Sequence, residues 1–165
     1  MQNLDLKQAG FGGGCHWCTE AVFESLIGVT DVQQGWIASD GENDQYSEAV
    51  IVDFDPEVIS FKVLINIHLH THQSTSNHSF RWKYRSAVYF FSEEDALDAT
   101  DAIAILQEEF DEPIITKVLP YRAFRLNREE SLHYYASDPS RPFCETYINP
   151  KLQLLRNQFS KFVID

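Results

Sequence analysis

The apolar positions of this chain change period several times, and each change predicts an element. The spacing of Trp17, Ala21, Phe23, Leu26 and Ile27 predicts a helix from about His16 to Ile27, stopped by Gly28. Leu4 to Phe11 is expected as a strand before it. Val29 to Ile37, with polar alternation, and the β-branched run Glu48 to Phe54 are expected as strands, the second ended by Asp55-Pro56. Ser60 is placed to cap a helix from Phe61 to about His70, with Val63, Leu64 and Ile67 inward. Arg85 to Phe91 reads as a strand. Ser92 and Asp95 form a capping-box pattern ahead of a helix carrying Ala96, Ala99, Ile103, Leu106 and Phe110 on one face. Ile114 to Leu119 reads as a short strand, Arg128 to Pro142 mostly as loop, and Pro150 to Phe162 as a short helix. The order predicts an α+β fold. Its expected form is a two-layer sandwich, with helices over one face of a mixed sheet and a loop-rich C-terminal segment, in one domain over 1–165.

Composition narrows the setting. The 165 residues, 44% hydrophobic and 23% charged, suffice for one core. No apolar run approaches bilayer length, and Met1 to Asp5 lacks the basic and apolar regions of a signal peptide. The expected location is therefore the cytoplasm, where thiols stay reduced. Three cysteines are too few for a disulfide scaffold. The net charge of −12, with nine acids and no base from Glu93 to Glu112, argues against nucleic acid and anionic membrane as partners.

The densest chemistry lies in Gly12-Gly13-Gly14-Cys15-His16-Trp17-Cys18. A thiol at the start of a helix meets the positive end of the helix dipole and free N–H groups, which favour thiolate. The glycines leave space above the sulfur. Cys15 and Cys18 also form a Cys-x-x-Cys, a redox spacing. Glu48 precedes an apolar strand, where a carboxyl can serve as the acid that a thiolate needs to reduce an S=O bond. Cys144 is either a packed cysteine or a second thiol brought in by a loop. His68, His70, His72 and His78 would suggest metal on a strand. On the expected helix His70 points away from the others, so surface or cap histidines are expected and no metal site. Gly10-Phe11-Gly12-Gly13-Gly14-Cys15 imitates a dinucleotide fingerprint, but Cys15 stands at the third glycine and no second-strand acid follows.

These motifs resemble the A-type peptide methionine sulfoxide reductases. Gly14-Cys15-His16-Trp17-Cys18-Thr19-Glu20-Ala21-Val22-Phe23 is similar to the family signature Gly-Cys-Phe-Trp-x-x-Glu-x-x-Phe. Gly35-Trp36, Ser47-Glu48-Ala49-Val50, Phe54-Asp55-Pro56 and Tyr84-Arg85-Ser86 resemble further family segments in order. So do Phe124, His133-Tyr134-Tyr135, Phe143-Cys144 and Pro150-Lys151-Leu152. The resemblance implies a ferredoxin-like α+β sandwich. It implies reduction of methionine-S-sulfoxide, free or in proteins, as repair of oxidative damage, without a cofactor. By this resemblance Cys15 attacks the sulfoxide sulfur, Glu48 protonates its oxygen, Tyr84 helps bind that oxygen, and Trp17 walls the methyl pocket. Cys15 becomes a sulfenic acid, a second cysteine condenses with it, and a thioredoxin-like reductant resets the disulfide. Cys144 is preferred over Cys18 as that partner, because a disulfide inside a regular first helical turn would be strained. Several positions depart from the family. His16 replaces the phenylalanine and makes the methyl pocket more polar. The loop between Gly35 and Glu48 is short, leaving Tyr46 as the candidate for its tyrosine, and Ser79 stands where an acid is expected. A cysteine enzyme for another small sulfoxide or disulfide, and a non-catalytic binding protein, are the alternative readings.

Overall fold

The computed structural model describes residues 5–164. Met1 to Leu4, including the first residue of the expected opening strand and most of the segment read for a signal peptide, lie outside them. Six strands form one mixed sheet: β1 Lys7–Gly12, β2 Val29–Ala38, β3 Ser47–Phe54, β4 Ala87–Phe90, β5 Lys117–Pro120 and β6 Ala123–Leu126. Their spatial order is β5-β4-β1-β3-β2-β6. Among the described residues only the β4–β5 pair is parallel. The helices are α1 His16–Glu24, α2 Phe61–Thr71, α3 Glu93–Leu106, α4 Tyr134–Ser137 and α5 Asn149–Gln158. The fold is therefore α+β. No helix among the described residues is long and apolar enough to cross a membrane.

The main core joins one sheet face to the helices. Phe11, Val50, Val52 and Val88 of the strands are buried with Phe23 of α1, Leu64 and Ile67 of α2, and Leu152 and Leu155 of α5. β3 sits in the middle of the sheet, which explains its nearly continuous burial and apolar sequence. Ser60 and Ser92 cap α2 and α3 by accepting the N–H groups of Val63 and Asp95. The Asp95 carboxylate does not close the expected capping box; it pairs with Lys7 at 2.6 Å.

Four expectations need correction. α1 ends at Glu24 because the chain beyond it is caught by the C-terminal tail. The Ile27 N–H donates to the Phe162 carbonyl, Leu26 bridges to Val163, and Ile27 is left exposed. The last expected strand begins at Lys117, not Ile114, and β6 had no predicted counterpart. The expected loop from Arg128 to Pro142 holds the short helix α4, and a π-helical turn at Cys144–Ile148 then runs into α5. Finally, His68 is not a surface residue: it is buried, with Nε2 2.7 Å from the Gly12 carbonyl and its ring stacked on His72.

Candidate functional site

The site grows from the junction of β1 and α1. The turn between them is tight because His72 presses from below. A Cβ on Gly13 would lie 2.4 Å from the His72 ring, so only glycine fits there. Cys15 is the N-cap of α1, with φ −58° and ψ 129°, and so stands just outside the helical turn. The first N–H groups of a helix have no partner within it. Here Glu48 reaches across from β3 and accepts the N–H of His16 at 3.1 Å.

The cysteines form a graded set of free thiols. Cys15 is half-buried, and its pKa is held below the ordinary thiol value. The neighbouring Cys18 thiol is the main cause, opposed by burial; the backbone N–H of Trp17 also lowers it and the charge of Glu48 also raises it. Cys18 is pushed far up by its neighbour Cys15 and by burial, so it stays protonated. Cys144 is buried close enough to Cys18 for its charge to be felt there. Its thiol faces the Asp138 carbonyl at 3.6 Å, and burial raises its pKa. Lys151 adds a half-buried cation near the pair. It donates to the Thr71 carbonyl, burial lowers its pKa, and its charge pulls the Cys18 value down.

A cavity of about 900 Å³ opens beside Cys15. Phe80, Tyr84, Phe143 and Tyr147 line it, together with Cys18 and Lys151. Tyr84 reaches it because the segment before it docks on β3: Lys83 O accepts from Glu48 N at 3.1 Å and from Ser47 Oγ at 2.9 Å. Lys83 Nζ lies 3.6 Å from Glu48 Oε2, and Tyr84 and Glu48 together raise its pKa. Trp17 stacks on Tyr134 at 4.0 Å and meets the edge of Phe143 at 5.4 Å.

Not every expected residue joins this group. Tyr46 is exposed beneath the Arg125 guanidinium, with 4.5 Å from cation to ring centre, and is not in the lining of the Cys15 cavity. His16 is buried behind Glu48 between the Gly35 carbonyl and Asn127. Ser79 is exposed. The two histidines of α2 and the one at its C-cap have these side-chain partners. His68 meets Gly12, His70 meets Glu109 at 3.2 Å, and His72, the C-cap, meets Ser86 at 2.8 Å.

Some residues that shape the site carried no clear local signal. Glu20 is fully buried, and its two oxygens accept the N–H groups of His133 and Tyr134 at 2.8 and 3.0 Å. This clasp fixes the loop that lays Tyr134 on Trp17. Glu20, Glu24 and His133 are the group among the described residues whose ligand atoms come within 4.8 Å of one another. With Glu20 committed to the loop, and Glu24 paired to His133 at 2.6 Å, the trio is already satisfied as a clasp. Gln34, Asn127 and Lys83 were missed, and Lys151 stood only within the Pro150-Lys151-Leu152 segment with no role attached. Glu20 was visible as the acid of the helix-start motif.

The sequence that builds this helix start and its carboxyl partner matches a known family. The sequence model described as "Peptide methionine sulfoxide reductase" covers residues 7–162. This chain belongs to that family. "Peptide methionine sulfoxide reductase MsrA" of Deinococcus radiodurans is 34% identical over 93% of this chain and 82% of its own. Among solved structures, Mxr1 from Saccharomyces cerevisiae in reduced form superposes with a TM-score of 0.73 at 19% identity, covering 86% of this chain and 91% of that one. Mxr1 in complex with Trx2 gives 0.59 at 21% identity, over 76% and 83%.

Proposed function

We propose that the protein reduces methionine-S-sulfoxide, free or within proteins, to methionine, with Cys15 as nucleophile and Glu48 as acid. The observation that carries this reading is the helix start itself. Cys15 has a lowered pKa beside the Cys18 thiol, and Glu48 is anchored on the next N–H of the same helix. Family membership supplies the substrate.

The Cys15 thiolate attacks the sulfoxide sulfur while Glu48 gives its proton to the oxygen, which Tyr84 helps to hold. Oxygen passes to Cys15, the S–O bond of the substrate breaks, and the thioether leaves. The substrate sulfur is reduced by two electrons and Cys15 is oxidised to the sulfenic acid. The Cys18 thiol then attacks that sulfur. An S–S bond forms, the S–OH bond breaks, and water departs. Two features favour Cys18 over Cys144 for this step: its thiol is the largest influence lowering the Cys15 pKa, and Cys15, as N-cap, has non-helical backbone angles that loosen the constraint of a regular turn. Cys144, next to Cys18, is suited to accept the disulfide by exchange. A thioredoxin-like dithiol resets it, the partner class with which yeast Mxr1 was solved.

Trp17, braced by Tyr134 and Phe143, is read as a wall for the methyl group. The β4-β1-β3-β2 order, antiparallel throughout with α1 after β1 and α2 after β3, supports a ferredoxin-like two-layer core extended by β5 and β6. We read 1–165 as a single domain, and a nucleophilic thiol that a dithiol must reset fits a reducing compartment such as the cytoplasm. The test is methionine release from the S epimer with dithiothreitol, for wild type, Cys15→Ser and Glu48→Gln. Release by wild type, none by Cys15→Ser and a fall of at least about 100-fold in Glu48→Gln are expected. Absence of release by wild type refutes the reading.

A further inference from the structure

We propose that Arg81 is a positioning residue that sets the separation of Cys15 and Tyr84, by bridging the backbone segments on which they stand. The inference deepens the reading above and rests on Tyr84 holding the sulfoxide oxygen. Arg81 is not in the lining of the Cys15 cavity, so it acts through groups that are.

The strand register shows why such a bridge is needed. β1 and β4 pair antiparallel, from Gly10–Tyr89 through Phe11–Val88 to Gly12–Ala87. Continued by three residues, this ladder would set Cys15 directly opposite Tyr84. It does not continue. On one side the chain turns into α1, with Cys15 as its N-cap. On the other, residues 80–84 form a turn in which the Phe80 carbonyl accepts the N–H groups of Lys83 and Tyr84, both at 3.0 Å. Cys15 and Tyr84 therefore stand on two strand extensions that have come apart, and the ladder no longer fixes their spacing.

The Arg81 guanidinium spans the opening. Nη1 donates to the Gly13 carbonyl and to the Tyr84 carbonyl, both at 2.8 Å. Nε donates to the Ser76 carbonyl at 2.8 Å, and Nη2 to the Gln73 carbonyl at 2.5 Å. One planar group thus joins the glycine turn, the segment before β4 and the loop after α2. Four bonds from one rigid fork fix its orientation, which the ammonium of a lysine, with three donors on a single atom, cannot reproduce. Three of the four acceptor residues, Gly13, Gln73 and Tyr84, line the cavity beside Cys15.

The other anchors of this segment act on β3. The Lys83 carbonyl accepts from Glu48 N–H and Ser47 Oγ, and Arg85 N–H donates to Ser47 Oγ at 2.8 Å. They place Tyr84 relative to Glu48, and Arg81 places it relative to Cys15. The placement bears on rate because Tyr46 lies under Arg125 and Ser79 is exposed, which leaves the oxygen to Tyr84 and Glu48. A misplacement of about 1 Å can cost about 100-fold.

The test is a double-mutant cycle. Single-turnover methionine formation from the S epimer is measured over a range of sulfoxide concentrations. The proteins are wild type, Arg81→Lys, Arg81→Gln, Tyr84→Phe, and each Arg81 variant combined with Tyr84→Phe. Both Arg81 variants are expected to lower the saturating rate by about 30-fold. The half-saturating concentration is expected to stay within about threefold of wild type, because the loss falls on the transition state. In the Tyr84→Phe background the same substitutions are expected to cost less than about threefold. Iodoacetamide alkylation of Cys15, followed in parallel, is expected to stay within about threefold throughout, reporting folded protein and an intact nucleophile. Undiminished saturating rates in the Arg81 variants, or losses that simply add to that of a slowed Tyr84→Phe, would overturn the proposal. Alkylation falling in step with reduction in both Arg81 variants would overturn it too, leaving Arg81 as a support of the fold alone. Tyr84→Phe turning over as fast as wild type would instead refute the reading of Tyr84, and the role of Arg81 with it.

Discussion

Replacing His68 by Gln tests how the floor of the site responds to acid. His68 is fully buried under the glycine turn, and burial lowers its pKa from 6.5 to about 4. Its ring is therefore neutral in the fold at pH 5, whereas the unfolded chain is protonated there. A base whose folded pKa is depressed leaves stability untouched above its unfolded value and reduces it as pH falls from 6.5 towards 4. The linkage relation over this interval, evaluated at pH 4.5, amounts to about 2.5 kcal/mol lost relative to pH 7.5. His72, stacked on it and also lowered well below its ordinary value, acts in the same direction. Urea unfolding of wild type and His68→Gln at pH 7.5 and 4.5 isolates the effect, because the other titrating groups are common to both. Wild type is expected to lose about 2 kcal/mol more than the variant over this interval. Equal losses in the two proteins would refute the neutral buried imidazole.

Other perturbations follow from the same geometry. Glu20→Gln leaves one loop N–H facing an amide NH₂, so a loss of about 2 kcal/mol is expected. Hydrogen exchange should quicken at the His133 and Tyr134 amides, and unchanged exchange would count against the clasp. Gly35→Ala would bring a Cβ to 2.0 Å from the Arg125 carbonyl, separating β6 from β2. Thermal unfolding should show a loss of about 2–3 kcal/mol. Cys18→Ala removes the thiol that chiefly lowers the Cys15 pKa, so the midpoint of Cys15 alkylation by iodoacetamide against pH should rise. A midpoint that stays would deny Cys18 that role.

The parts of the molecule written in local sequence were legible, and those made by distant contacts were not. The helix start at Cys15, the capping serines and the apolar run of β3 each carry their own short-range signal. β6 is four residues long with no alternation of its own, and it exists because the edge of β2 pairs with it from Gly35 to Ala38. α1 loses the turn its apolar spacing promised because the tail at Phe162 and Val163 competes for Leu26 and Ile27. His68 reads as a polar residue on a helix; only its register beneath Gly12 shows that a backbone carbonyl awaits it. Within the site, Cys15, Glu48 and Tyr84 were visible as motif residues. Asn127 and Gln34, which hold His16, were invisible because nothing nearby in sequence needs them, and Lys151 of α5 stood in a family-like segment with no role attached to it. Tyr46 shows the converse: a suitable residue type near the expected position, drawn instead under Arg125.

The most direct measurement of the central claim is a single turnover without added reductant. Reduced protein is mixed with one equivalent of methionine-S-sulfoxide, the released methionine and free thiols are counted, and the linked peptides are mapped. The account predicts about one methionine per chain, a fall of two in free thiols from the initial three, and a first-formed Cys15–Cys18 link. Three thiols intact after exposure to the sulfoxide, or the same release from Cys15→Ser, would contradict it.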